Sequence, residues 1–244
     1  MLNWRDEPLS VHEELELQKM NWAGPKPKNR GEFRDIWERH RRNNGQPYNM
    51  KIDLYHMTSI KNLKSILTHG LLSEYEIKNL GIVPDHISNH KIVKKRTSKQ
   101  VVGNTTISHY ALLYFQPRNA MLYKIIKDNS VKQKIIILRF SYDVSNGGFF
   151  TTKNALLANT FYRLDDINNR PILEENMKLI EKKYWNNYNE MIEMMAESLI
   201  YQKLELKYLC EIFYLNQSLS NVIRQTLTQM PSVQISHNKE MFFQ

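Results

Sequence analysis

One cysteine, Cys210, is all that the 244 residues contain. An intramolecular disulfide is thereby excluded, as is a cysteine-based zinc cluster within one chain, and a reducing cytoplasm is the expected setting. No apolar run approaches the roughly 20 residues of a membrane-spanning helix. Residues 1 to 20 alternate charges with isolated apolar positions and lack the continuous apolar stretch of a signal peptide. A soluble chain without a membrane partner is expected. The eight histidines include no His-Glu-x-x-His helix or comparable ligand spacing, so no metal site is expected. No Gly-x-Gly-x-x-Gly turn follows a strand and no Walker-type loop occurs, which disfavours Rossmann and P-loop nucleotide binding. There is no internal repeat and no low-complexity tract.

What is present bounds the answer from the other side. At 41% hydrophobic the chain can build one substantial core, and 34 Lys and Arg against 25 Asp and Glu leave a net charge of +9. Such a field favours polyanions, nucleic acid first, with anionic membrane surfaces as the other electrostatic candidate.

The chain reads as three parts: a helical N-terminal extension over 1–50, a main domain over 51–230 and a polar tail over 231–244. In the extension, Ser10 and Glu13 have capping-box spacing ahead of a helix to Met20. Ala23-Gly24-Pro25-Lys26-Pro27 breaks the chain, and a second helix is expected from Glu32 to Arg42 with Phe33, Ile36, Trp37 and His40 on one face. The main domain opens with a strand, Ile52-Asp53-Leu54-Tyr55-His56-Met57, and a helix from Ile60 to His69 that Gly70 stops. A polar, basic loop with one short helix spans Ser73 to Asn104. Strands follow at His109 to Phe115, Lys134 to Tyr142 and Gly148 to Thr151, with Ile135-Ile136-Ile137-Leu138 the clearest buried one. Helices are expected at Asn154 to Asn159 and from Ile172 to about Met195, with Trp185, Tyr188, Met191 and Met195 sharing a face. A short strand after Glu197, another from Leu209 to Leu215 and a helix from Ser218 to Leu227 complete a mixed α+β order. The tail after Met230 is expected to fray, with Met241-Phe242-Phe243 able to dock.

Four features carry chemistry. Glu197 sits where an amphipathic helix hands over to the apolar run Ser198-Leu199-Ile200, an unusual place for an acid. His56 on the first strand, followed by Met57 and Thr58, suits a pocket that hydrogen-bonds a ribose; the bland alternative is a satisfied corner histidine. Lys94-Lys95-Arg96 is either a solvated run or a set of phosphate contacts. The block from His109 to Tyr123 mixes aromatic rings with Arg118 and Met121, which fits a stacking surface for unpaired bases and equally a core strand.

Taken together, Tyr55-His56-Met57-Thr58, His69-Gly70-Leu71-Leu72, Lys94-Lys95-Arg96, the block Tyr110 to Tyr123, Asn154-Ala155, Thr160-Phe161-Tyr162 and Ala196-Glu197-Ser198-Leu199-Ile200 resemble the DarT family over about residues 52 to 216. DarT proteins are bacterial toxins that ADP-ribosylate bases of single-stranded DNA, and the macrodomain antitoxin DarG opposes them. The resemblance implies an α+β ADP-ribosyltransferase fold, a small split mixed sheet around an NAD cleft with helices outside. It implies NAD as co-substrate, no metal, single-stranded DNA with thymidine as the target base, and a DarG-type macrodomain partner. Residue by residue, it implies Glu197 and Arg96 as catalytic, and His56, Met57, Thr58 and Arg96 at NAD. Lys94, Lys95, Tyr110, Arg118 and Met121 are then expected at DNA. The chain departs from the family pattern at His109, Asn119-Ala120 and Thr152-Lys153. Those positions lie on the expected DNA side and bear on base preference more than on NAD use. Two rival readings are an ADP-ribosyltransferase of RNA or protein, and a catalytically silent nucleic-acid-binding module.

Overall fold

The computed structural model describes residues 4–10, 13–14, 17, 26–36, 50–87, 94–228 and 232–243. The chain forms two units, Met1–Tyr48 and Asn49–Gln244. In the first, the Ser10 amide donates to the Glu13 carboxylate at 2.7 Å and the Glu13 amide donates to the Ser10 hydroxyl at 3.3 Å, a reciprocal capping box. Residues 13, 14 and 17 are helical, as are 30–36. Leu17, Phe33 and Ile36 pack together with Leu9. Arg30 joins Glu7 at 2.8 Å and Glu13 at 3.0 Å. The rest of both expected helices, with Trp37 and His40, lies outside the described residues.

The second unit contains strands β1 (Lys51–Ser59), β2 (Leu71–Leu72), β3 (Gln100–Val102), β4 (Thr105–Thr106), β5 (Tyr110–Tyr114), β6 (Ile135–Asp143), β7 (Phe149–Phe150), β8 (Tyr162–Arg163), β9 (Glu197–Tyr201), β10 (Lys203–Leu204), β11 (Leu209–Tyr214) and β12 (Gln234–His237). Its helices are α1 (Leu63–His69), α2 (Glu74–Asn79), α3 (Ala120–Ile125), α4 (Asn129–Lys132), α5 (Arg170–Lys178), α6 (Tyr188–Glu193) and α7 (Leu219–Thr226). Eight strands make one sheet in the order β12-β11-β6-β1-β5-β9-β7-β8. It is mixed, because β11 and β12 run parallel while the other neighbours are antiparallel.

The sheet is split in the middle. On one side β1 pairs with β6 along its whole length, from Lys51 opposite Asp143 to Ser59 opposite Ile135. On the other it meets β5 at one register pair, Tyr55 opposite Tyr114. In β6 the residues Ile135 to Leu138 are at 0% exposure, as the β-branched run requires of a strand covered on both faces. One core gathers Tyr55, Met57, Tyr114, Leu122, Ile137, Phe213 and Phe242. A smaller one packs Ile107, Tyr110, Ala155 and Leu199.

Gly70 ends α1 at φ 85°. A Cβ there would stand 2.7 Å from the Leu204 carbonyl, so glycine alone lets the chain turn against β10.

Three expectations need correction. Residues 154–159 form turns and not a helix, because the chain curls around a carboxylate described below. The expected helix from Ile172 to Met195 is broken: α5 ends at Lys178 and α6 starts at Tyr188. The buried amide of Gln116 explains the break, since its Nε2 donates to the carbonyls of Leu179 (2.7 Å), Ile180 (3.1 Å) and Lys182 (2.8 Å) that a continuing helix would have used. Asn187 then caps α6 by accepting from the Glu190 amide. Trp185 therefore lies between helices and not on a shared helical face. The tail does not fray over its described length: β12 extends the sheet beside β11, and Phe242 docks at 0% exposure.

Candidate active site

Glu197 is the first residue of β9 and 1% exposed. A buried acid needs partners, and the chain supplies them from four directions. The Ala155 amide donates to Oε2 at 2.7 Å and the Asn154 side-chain amide to the same oxygen at 3.2 Å. Arg96 approaches Oε1 at 3.5 Å. Tyr114 stands directly opposite Glu197 in the β5–β9 register, its phenol beside the carboxylate. Burial pushes the Glu197 carboxyl above the usual carboxylate range, while Arg96, the Ala155 amide and Tyr114 pull the other way. Burial likewise raises the Tyr114 phenol, reinforced by the negative charge of Glu197.

The loop that carries Asn154 and Ala155 is itself pinned. Thr151, fully buried, exchanges backbone and side-chain hydrogen bonds with Glu197, the Thr151 amide donating to the Glu197 carbonyl at 2.9 Å. Asn176 on α5 donates to the Thr151 carbonyl at 2.7 Å. Asn154 accepts from the Leu156 amide, closing a local turn that competes with helix formation.

Across the split, β1 supplies His56, Met57 and Thr58. His56 Nδ1 lies 2.9 Å from the Leu112 carbonyl. A carbonyl can only accept, so Nδ1 carries the proton. Burial lowers the imidazole to about 4, with Arg96 adding to the effect against the pull of the Leu112 carbonyl. At neutral pH the ring is uncharged and Nε2 is left as an acceptor. The Thr58 hydroxyl accepts from Asn62 at 3.0 Å. Asn62 also pairs with the Asp85 backbone through Nδ2 to the carbonyl and the Asp85 amide to Oδ1, and Lys134 holds Asp85 at 2.7 Å. This network ties the segment before residue 88 to the end of β1.

His56, Met57, Thr58, Arg96, Tyr110, Tyr114, Met121 and Glu197 all line one open cleft, whose rim includes Asn62, Asp85 and Ile87. Thus seven of the expected site residues, from five separate places in the chain, converge. Lys94 and Lys95 are exposed on the short helical turn that directs Arg96 inward. Tyr110 is buried at the cleft wall with its hydroxyl 2.9 Å from Thr105. Met121 receives the Tyr114 hydroxyl at 3.0 Å on its sulfur.

Arg118, expected at DNA, is not among the residues lining the cleft. Its guanidinium donates to the carbonyls of Glu240 and Phe242 and to that of Lys183 at 3.5 Å, so its donors hold the C-terminal segment. Sequence reasoning passed over Tyr114, Asn62 and Asp85 as site groups and gave Asn154-Ala155 no role. Only the adjacency of Asn154-Ala155 and Thr151 to strand β7 hinted at a loop beside β9. Among the described residues no group of three or more His, Cys, Asp or Glu could hold a metal ion. None of their helices is long and apolar enough to cross a membrane.

A mixed sheet split around a cleft, with a buried glutamate at the start of the strand beside it, defines an ADP-ribosyltransferase-type α+β protein. The family model described as "ssDNA thymidine ADP-ribosyltransferase, DarT" matches residues 55–243, and the chain belongs to that family. Among its relatives is a DNA ADP-ribosyl transferase–DNA ADP-ribosyl glycohydrolase fusion protein of Thermosipho africanus, 27% identical over 179 residues, covering 72% of this chain and 45% of the relative. Thermosipho africanus DarTG in complex with ADP-ribose superposes with TM-score 0.71 at 25% identity, over 79% of this chain and 51% of that one. The chain thus spans about half the length of these fusion relatives. Thermus sp. 2.9 DarT in complex with ADP-ribosylated single-stranded DNA shares the fold at TM-score 0.66 and 22% identity, over 80% of this chain and 100% of that chain.

Proposed function

We propose that this chain transfers ADP-ribose from NAD to a thymidine base in single-stranded DNA, releasing nicotinamide, and acts as a bacterial toxin in the cytoplasm against which a DarG-type macrodomain protein protects. The observation that carries the reading is the buried Glu197 carboxylate, held by Asn154 and Ala155 and facing the cleft beside Arg96, in a chain of this family.

In the reaction the bond between the ribose C1′ and the nicotinamide nitrogen breaks, its electron pair leaving with nicotinamide. A bond forms between C1′ and a ring nitrogen of the base, which gives up its proton to solvent water. Positive charge grows on the ribose as the first bond stretches. A carboxylate fixed near the 2′-hydroxyl stabilises that charge without having to reorganise, which is the role assigned to Glu197. The Ala155 amide and Asn154 fix its orientation. Arg96, always protonated, favours the ionised form of Glu197 and can stabilise negative charge on the base as its proton departs; it is no base itself. The neutral His56, through Nε2, accepts a hydrogen bond from a ribose hydroxyl, with Met57 and Thr58 completing that wall. Tyr110 and Met121 line the side at which an unpaired base enters, with Lys94 and Lys95 outside it for phosphates. A single strand presents its base without the unpairing cost of a duplex.

Mass spectrometry of short single-stranded oligonucleotides incubated with enzyme and NAD tests this. One ADP-ribose adduct on thymidine-containing strands, absent with Glu197→Gln, is expected. Adducts on RNA or protein with none on DNA would replace the acceptor assignment, and no adduct on any of the three would remove it.

A further inference from the structure

Outside the cleft lies a second cluster of aromatic and basic side chains that the mechanism above does not use. It begins on α3: Met121 lines the cleft, whereas Tyr123, two residues further and so on the opposite side of the helix, is 42% exposed. The rings of Tyr123, Trp185 and Phe243 meet edge to face, their centroids 5.9, 5.4 and 5.7 Å apart in the three pairings. The Lys127 ammonium sits 4.2 Å from the centre of the Tyr123 ring. Arg118 lies 4.8 Å from the centre of Phe243 and 5.9 Å from that of Tyr184, which is 71% exposed. Lys124, Lys182 and Lys183 are exposed in the same segments, as are Asp128, Glu181 and Glu240. Asp128 is turned onto its own helix start, accepting from the Ser130 amide and hydroxyl.

We propose that this surface is a stacking platform for single-stranded DNA flanking the target nucleotide. The proposal rests on the reading of the chain as a modifier of single-stranded DNA and adds to it a binding track separate from the catalytic cleft. Packing accounts for Phe243 and Trp185, whose rings help cover the docked tail. It does not account for the exposure of Tyr123 and Tyr184. Exposed aromatic rings beside lysine ammonium groups match unpaired bases joined by phosphates, for which stacking and phosphate contacts act together. Duplex DNA, with its bases already stacked on one another, offers such rings nothing. Position agrees as well: cleft and platform lie on two sides of one helix, so a strand leaving the cleft crosses only about 10 Å to reach Tyr123.

The test uses a Tyr123→Ala/Lys127→Ala/Tyr184→Ala chain, none of whose altered residues lines the cleft, with a thermal melt to confirm the fold. Single-turnover transfer is measured on a strand of about five nucleotides, which fills the cleft alone, and on one of about twenty, which can reach the platform. The expected result is a loss of at least about 5-fold in kcat/KM on the long strand and no change on the short one. Tyr123→Phe/Tyr184→Phe, which keeps the ring faces, should retain the wild-type preference. Equal activity on both lengths, or the same loss on both, overturns the proposal. If the wild type modifies neither strand, the functional reading fails, and fluorescence anisotropy with the labelled long strand still decides the platform. Weaker binding by the triple variant then supports it, and unchanged binding overturns it.

Discussion

The backbone amide of Ala155 donates to Oε2 of Glu197 at 2.7 Å, so a residue with no polar side chain sets the orientation of the acid at the centre of the cleft. With Asn154 on the same oxygen, Oε1 is left for Arg96 and for whatever enters the cleft.

Glu197→Gln should lower the single-turnover rate of transfer by at least about 100-fold, by analogy with the loss of one preorganised electrostatic contact. The variant should stay folded. A carboxyl whose folded-state pKa is raised contributes fully to stability below its unfolded value and loses that contribution as pH rises through the folded one. At neutral pH the glutamine variant should therefore melt no lower than the wild type. In bacteria, wild-type expression should arrest growth and the variant should not; a folded variant with near-normal turnover ends the assignment.

Arg96→Met removes a positive charge that favours ionised Glu197, so the carboxyl should titrate at still higher pH. Carbon-13 NMR of the Glu197 side chain reads this without needing activity. In pH–rate profiles the acid limb should move to higher pH in step, and saturating DNA should not restore the rate. Full recovery with excess DNA would reduce Arg96 to a substrate-positioning group.

His56, lowered to about 4, should stay neutral across the physiological range. Its unfolded value is near 6.5. Unfolded chains thus take up the proton first, and stability is lost as pH falls from about 6.5 toward 4. The melting temperature of His56→Gln should decline less over that window than that of the wild type. The same substitution should raise the KM for NAD more than it lowers kcat, if Nε2 accepts from a ribose hydroxyl in both ground and transition states.

Arg118→Ala is expected to loosen the C-terminal segment, with a loss of about 1–2 kcal/mol in unfolding free energy from unpaired carbonyls. Limited proteolysis should then cut first after residue 230. Transfer to a five-nucleotide strand should persist. A stable variant that fails only in DNA binding would return Arg118 to the DNA contacts expected from the sequence.

Which residues could form elements was largely legible along the chain. The run Ile135 to Leu138 predicts a buried strand, Gly70 a helix stop, and Ser10 with Glu13 a capping box, because each depends on contacts within a few residues. The basic run at Arg96 and the acid at Glu197 stood out for the same local reason. Local rules failed where a distant side chain intervened. Gln116 diverts the carbonyls of residues 179, 180 and 182 and breaks an otherwise periodic helix. The Glu197 carboxylate holds residues 154 and 155 in a turn.

By itself, the sequence determined the long strands β1 and β6, the end of α1 at Gly70, the absence of an intramolecular disulfide and the residues able to carry charge or hydrogen bonds. Tertiary structure alone decided their use. The pairing of Tyr114 with Glu197 and the single register pair between β1 and β5 bring residues 56, 96, 114, 121 and 197 to one cleft. Docking of Phe242 takes Arg118 out of it. The physical reason is that burial and partners, which set the protonation of His56 and Glu197 and decide whether a cation is spent on packing or left for a ligand, are properties of contacts between residues far apart in the chain.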